Sequence, residues 1–128
     1  KAQEMALDYV PQRETFGAAL STRQSIQWML VDNEIDIKQS LWIIFDAAAK
    51  AERGENYRKE AAMAKLVATE AGGRVIDRCM QMFGGLGVAK DLPFERWFRE
   101  MRIRRIGEGP SEVQRHVIAR ELLGASLR

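Results

Sequence analysis

The feature that most constrains this fold is a pair of long helical runs joined by almost nothing. Ile26, Met29, Leu30, Ile37, Leu41, Ile44, Phe45 and Ala48 recur at intervals of three and four, the spacing that lines one face of an α-helix. Ser21 or Thr22 suits the N-cap of this run, and Gly54 stops it after Arg53. At 1.5 Å per residue such a helix is about 45 Å long, which suits a helical bundle better than a compact α/β domain. A second run opens around Asn56 and continues to Phe83. Ala61, Ala62, Ala64, Ala68 and Ala71 make it a strong helix former with a narrow side for close approach. Met63, Leu66, Val67, Val75, Ile76, Cys79, Met80 and Met82 supply its wider apolar positions. Gly72 and Gly73, in its middle, mark either a tight crossing or a bend.

Shorter elements flank this pair. KAQEMALDYV spaces Met5, Ala6, Tyr9 and Val10 like the last turns of a helix, and a first residue Lys1 reads as a start cut from something larger. Pro11 and Gly17 bracket a loop. Gln81-Met82-Phe83-Gly84-Gly85 reads as a helix C-cap and loop; no strand precedes it and the glycine spacing is wrong for a dinucleotide fingerprint. Asp91 and Pro93 start a fourth helix, in which Phe94, Trp97, Phe98, Met101 and Ile103 alternate with arginines. A fifth starts at Pro110 and carries Val113, Val117, Ile118, Leu122 and Leu123 as its buried side. The expected class is all-α: an up-and-down four-helix bundle with an extra short helix, in a single domain over residues 1–128.

Composition excludes several functions. A chain of 128 residues builds one core, and no apolar run approaches the roughly 20 residues of a membrane span. A net charge of +2 implies no general affinity for nucleic acid. The arginine-bearing helix shares its surface with Glu95 and Glu100 and has no base-stacking motif. Cys79 stands alone, so no internal disulfide forms, and it reads as a small semi-buried side chain. His116 is the sole histidine, which leaves a His-dependent triad or a metal cluster without partners. Trp28 and Trp42 read as packing residues.

Between the last two helices lies Ile106-Gly107-Glu108-Gly109-Pro110. A carboxylate there sits where one helix ends and another begins, with glycines removing bulk around it. Two readings stay open on spacing alone. The corner is a solvated turn of ordinary composition, or it points an acid into a cleft where burial raises its pKa and makes it a proton acceptor.

Four blocks, in order, resemble the C-terminal region of the acyl-CoA dehydrogenases, a family of FAD-dependent enzymes: RETFG (Arg13 to Gly17), KEAAMAKLVATEA (Lys59 to Ala71), QMFGGLGVAKDLPFERWFREMRI, and EGPSEVQRHVIARELLG. The resemblance covers nearly the whole chain. It implies a C-terminal helical domain, with an N-terminal helical and a middle β-barrel domain elsewhere in the parent flavoenzyme. It also implies a reaction: removal of two hydrogens from a fatty acyl-CoA to give the trans-2-enoyl thioester, with Glu108 as the base for the α-proton and flavin as hydride acceptor.

The resemblance also assigns cofactor contacts. Arg13 reaches the FAD diphosphate of a neighbouring subunit, where a guanidinium fork suits phosphate oxygens, and Phe16 packs beside the cofactor. Gln24, with Arg23 beside it, lies near the adenine end. Gln81, Met82, Phe83, Gly84 and Gly85 form a backbone lip against the FAD of an adjacent subunit. Gly109, Pro110, Ser111 and Glu112 line the flavin after the base. No metal is implied. Departures from the family pattern are Gly107 where many members have tyrosine, Pro110 where most have threonine or serine, and Glu112 in place of a frequent glutamine. The implied partners are the acyl-CoA substrate, an electron-transfer flavoprotein and further copies of the chain, in the bacterial cytoplasm or mitochondrial matrix. Two other functions compete: a helical oligomerisation module without catalysis, and an acyl-CoA oxidase-type relative.

Overall fold

The computed structural model describes residues 1–124. Its helices are α1 (Ala2–Tyr9), α2 (Gln24–Glu52), α3 (Arg58–Phe83), α4 (Gly85–Val88), α5 (Phe94–Arg104) and α6 (Ser111–Leu123). The expected all-α class is what forms, with α3 as the hub. It packs along α2 and takes α1, α5 and α6 against its other sides. The core gathers where α1, α2, α3 and α5 meet, around Ala6, Val10, Ile26, Val75, Ile76, Cys79, Met82, Phe83 and Phe94. Phe94 is fully buried. Its ring lies 4.6 Å from that of Phe83 and 5.7 Å from that of Trp97, and Tyr9 stacks on Phe83 at 4.1 Å.

Several boundaries differ from expectation. Neither Ser21 nor Thr22 caps α2. Leu20–Thr22 is a separate 3-10 turn closed by Thr22 Oγ1 donating to the Ala19 carbonyl at 2.7 Å, and Arg23 is the N-cap. The loop after α1 is a small antiparallel hairpin, β1 (Glu14–Thr15) with β2 (Ala18–Ala19). The GGLG stretch is not plain loop either, because Gly85–Val88 winds into α4. It can do so because a Cβ at Gly87 would come within 2.7 Å of the Met80 carbonyl, a space only glycine leaves open.

The periodicity also misassigned part of the inner faces. Ile26 is buried, but Leu41, Ile44, Phe45 and Ala48 are exposed, as are Trp28 and Trp42, which do not pack into the core. Along that stretch α2 turns Asn33, Asp36 and Ala47 inward instead. Buried polar groups are tolerated when fully paired, and these are. Asn33 Nδ2 donates to Gln3 Oε1 of α1 at 2.9 Å and lies 3.5 Å from Cys79 Sγ. Arg78 Nη1 donates to Asn33 Oδ1 at 3.2 Å. The Asp36 carboxylate accepts from Arg74 Nε and Nη2 at 3.1 and 2.5 Å and from Arg78 Nη1 at 2.7 Å. Cys79 is therefore fully buried, and desolvation pushes its thiol up to about 11. In α6, Val113, Leu122 and Leu123 are exposed and only Val117 and Ile118 are partly covered.

Gly72 and Gly73 mark a crossing rather than a bend, since α3 runs unbroken past them. A Cβ at Gly72 would overlap the Met101 side chain and one at Gly73 the Arg105 guanidinium, so their absence lets α5 lie close. At the other end of the pair, Lys50 Nζ of α2 meets Glu60 of α3 at 2.6 Å and holds its carboxylate down at about 2, bracing the turn at Gly54.

Candidate active site

After Arg104, α5 loosens into a turn in which Gly107 N–H donates to the Ile103 carbonyl at 2.8 Å, and the chain reverses before α6 begins at Ser111. Pro110 is the N-cap, extended at φ −61°, ψ 166°. The reversal needs two residues in the left-handed region: Glu108 at φ 54° and Gly109 at φ 90°. For glycine that conformation is easy. For glutamate it is disfavoured because Cβ crowds the backbone, and it persists only where surroundings hold it.

The surroundings come mainly from α3. Lys65 Nζ donates to the Gly107 carbonyl at 3.0 Å and, more closely, to the Gly109 carbonyl. Gln114 Nε2, from the first turn of α6, donates to the Gly109 carbonyl at 3.0 Å. A Cβ at Gly109 would stand 2.7 Å from that nitrogen. One turn further along α3, Glu70 accepts from Ser111 Oγ at 2.7 Å and pairs with Arg105 at 3.4 Å. Both ends of the corner are thus tied to one helix.

Glu108 is exposed on this chain, so these residues do not supply the burial expected of it. It lines a cleft of about 510 Å³, open to solvent, between the corner and the start of α3, with Glu55, Tyr57, Arg58, Lys65, Gln114 and Val117 among its other walls. Small side chains at Ala61 and Ala62 keep the floor low.

The other candidate residues divide by exposure. Arg13 and Phe16 stand outward on the hairpin, Phe16 almost wholly exposed at φ 51°. Arg23 is partly buried and its guanidinium donates to the Thr15 carbonyl at 2.7 Å, so it braces the hairpin, while Gln24 is exposed. Gln81, Gly84 and Gly85 are exposed, and a Cβ added at either glycine would meet nothing within 4 Å. Met82 and Phe83 turn their side chains into the core, which leaves only their backbone for an outside ligand. Ser111 is buried with its hydroxyl committed to Glu70, whereas Glu112 is exposed. Sequence reading did not single out Lys65, Glu70, Arg105 or Gln114, whose side chains shape the corner. The first two lie inside the KEAAMAKLVATEA block, but nothing in their own spacing shows that they reach 40 residues ahead.

Among the described residues no group of three or more His, Cys, Asp or Glu is placed to hold a metal, and no helix is long and apolar enough to cross a membrane. The family profile described as acyl-CoA dehydrogenase, C-terminal domain, matches residues 1–123. The short-chain specific acyl-CoA dehydrogenase of Bos taurus mitochondria is 40% identical over 122 residues, which are 95% of this chain and 30% of that protein. Butyryl-CoA dehydrogenase from Megasphaera elsdenii superposes with a TM-score of 0.92 at 36% identity, over 95% of this chain and 32% of that one. An FAD complex of PigA superposes with a TM-score of 0.91 at 28% identity, over 94% of this chain and 32% of that one. The chain spans about a third of the length of the relatives it matches. By profile, by identity and by fold, this chain belongs to the acyl-CoA dehydrogenase family and corresponds to its C-terminal domain.

Proposed function

We propose that the parent protein dehydrogenates an acyl-CoA thioester to its trans-2-enoyl form, and that Glu108 removes the α-proton. The observation that carries this reading is the corner itself: an acid held at φ 54° between two glycines, on the wall of an open cleft. A thioester α-proton is too weakly acidic for a carboxylate acting alone. Hydrogen bonds to the thioester oxygen stabilise the developing enolate, and the backbone N–H of Glu108 is the donor this chain offers. The carboxylate ends the step as a neutral acid. Gly107 and Gly109 leave the α-carbon room to approach it.

FAD is the cofactor this reading requires, and the residues present suit one. An exposed guanidinium at Arg13 matches a diphosphate, the exposed Phe16 ring offers a packing surface, and the bare backbone at Gly84 and Gly85 admits a flat ligand without side-chain interference. When bound, FAD supplies the two-electron acceptor for the β-hydrogen, which leaves as hydride. Arg23 acts by fixing the hairpin that carries Arg13, and Gln24, Gln81, Pro110 and Glu112 add polar or backbone contact. Met82, Phe83 and Ser111 contribute position only. An electron-transfer flavoprotein is the proposed electron acceptor.

Assembly into a homo-oligomer is part of the same reading. Trp28, Trp42, Phe45 and Leu122 expose apolar surface that a second copy would cover. The full-length Glu108→Gln protein tests the central claim. It should keep its flavin absorbance and lose acyl-CoA turnover by at least about 10³-fold, within the usual range for an essential base. Normal turnover would remove Glu108 from its role, and steady hydrogen peroxide formation with substrate would place the parent among the oxidases instead.

A further inference from the structure

The carbonyls of Gly107 and Gly109, the residues on either side of Glu108, both converge on one ammonium, Lys65 Nζ. The convergence is unusual because the two peptide groups must turn toward the same point, which is what the left-handed angles at Glu108 and Gly109 accomplish. Between the two gripped peptide groups lie four soft dihedrals, φ and ψ of Glu108 and of Gly109, and holding both ends on one cation restricts all four together, including the pair that sets the direction of the Glu108 Cα–Cβ bond. The Gly107 carbonyl also sits just past the end of α5, where the helix dipole is negative and a cation is favoured. Lys65 lines the same cleft as Glu108.

We propose that Lys65 is a positioning residue: by donating to the Gly107 and Gly109 carbonyls it restricts the backbone angles at Glu108 and Gly109 that direct the carboxylate toward the cleft. The inference rests on Glu108 being the base. Lysine serves here because its ammonium carries three donors on a stem long enough to leave α3. Gln114 supplements it, donating from Nε2 to the Gly109 carbonyl at 3.0 Å and, at 3.5 Å, to the carbonyl of Glu108 itself.

The test uses the full-length enzyme loaded with FAD. Lys65→Met keeps the aliphatic stem and removes every donor, Lys65→Arg keeps charge and donors, and Glu108→Gln runs in parallel. Turnover is read as kcat and KM. A second readout is the wash-out of α-deuterium from an acyl-CoA thioester lacking hydrogen on its β-position, which reports proton abstraction without any redox step. Lys65→Met should retain its flavin and a KM within about threefold of wild type, because binding contacts are untouched. Its kcat and its wash-out rate should both fall about 10²-fold, the loss a base displaced by about 1 Å incurs. Lys65→Arg should recover at least tenfold of that loss.

Wild-type wash-out in Lys65→Met, accompanied only by a lower melting temperature, would overturn the proposal by showing a purely structural lysine. So would Lys65→Arg behaving no better than Lys65→Met. If Lys65→Met does not accumulate as folded protein, Lys65→Gln, whose donor is too short to span both carbonyls, carries the same comparison. Wash-out persisting in Glu108→Gln defeats the base assignment itself, whereas wash-out lost in Glu108→Gln but intact in the Lys65 variants defeats only the positioning role.

Discussion

Replacing Asp36 by alanine should cost about 2–4 kcal/mol of stability, and the estimate follows from how its partners are exposed. The Arg78 bond, at 2.7 Å, joins side chains that are 23% and 10% exposed, so a hydrogen bond to a charged group keeps most of its usual 1.5–3 kcal/mol, about. Arg74 is 49% exposed, and its share is reduced by solvent screening to roughly 0.5–1 kcal/mol. Removing the carboxylate leaves Arg78 with Asn33 Oδ1 at 3.2 Å and a longer pairing with the Asp32 carboxylate at 3.9 Å. Urea unfolding of the chain, followed by circular dichroism, reads the difference between wild type and Asp36→Ala as a shift in midpoint.

The same pair of proteins gives a pH test with a defined sign. Hydrogen bonding from Arg74 and then Arg78 outweighs desolvation and holds the Asp36 carboxyl below its ordinary 3.8. A carboxylate whose pKa is depressed on folding contributes stability that is fully present above its unfolded value and is lost as pH falls through the folded one. The gap between the two proteins should therefore be constant at neutral pH and narrow below 3.8. Other carboxylates, Glu60 among them, titrate in both proteins and cancel in the difference. Equal midpoints at neutral pH, or a gap that stays fixed through acidification, would refute the network as a source of stability.

Three further outcomes follow. Phe94→Ala, at a site with no exposed surface between the Phe83 and Trp97 rings, should lose about 3–5 kcal/mol together with its near-ultraviolet circular dichroism. Gly109→Ala places a Cβ at φ 90° and 2.7 Å from Gln114 Nε2, so it should cost about 1–3 kcal/mol and lower turnover in the full-length enzyme; wild-type stability would dismiss the strain argument. Cys79, fully buried and with its thiol raised to about 11, should resist a maleimide at neutral pH until the chain is unfolded, and labelling of the native protein would contradict that burial.

What the sequence discloses and what it conceals have separate physical causes. Gly54 and Gly84 mark real helix ends because both adopt positive φ, and the alanine-rich run from Lys59 does form one unbroken helix. These are local properties that short-range spacing encodes. Which side of α2 faces inward is not local. Asn33 and Asp36 are buried because Gln3, Arg74 and Arg78, 30 to 45 residues away, satisfy them, and an apolar stripe that does not meet α3 is left outside. The corner shows the same division. Glycine, glutamate and proline in a row announce a turn bearing an acid, but the lysine that grips it comes from a different helix. The hairpin at Glu14–Ala19 was hidden for another reason: strands of two residues carry no periodicity to detect.

The attachments at Lys65, Glu70 and Gly73 lie within one nine-residue stretch of α3, and together they make that helix a ruler for the acid. The carboxylate's location is inherited from α3 as from a rigid rod, not negotiated within the turn that carries it. A single residue inserted between Lys65 and Gly73 would rotate one anchor about 100° away from the others. The turn sequence would be unchanged and its address lost. Length in that short stretch of helix should therefore tolerate less variation than the identity of the residues around Glu108.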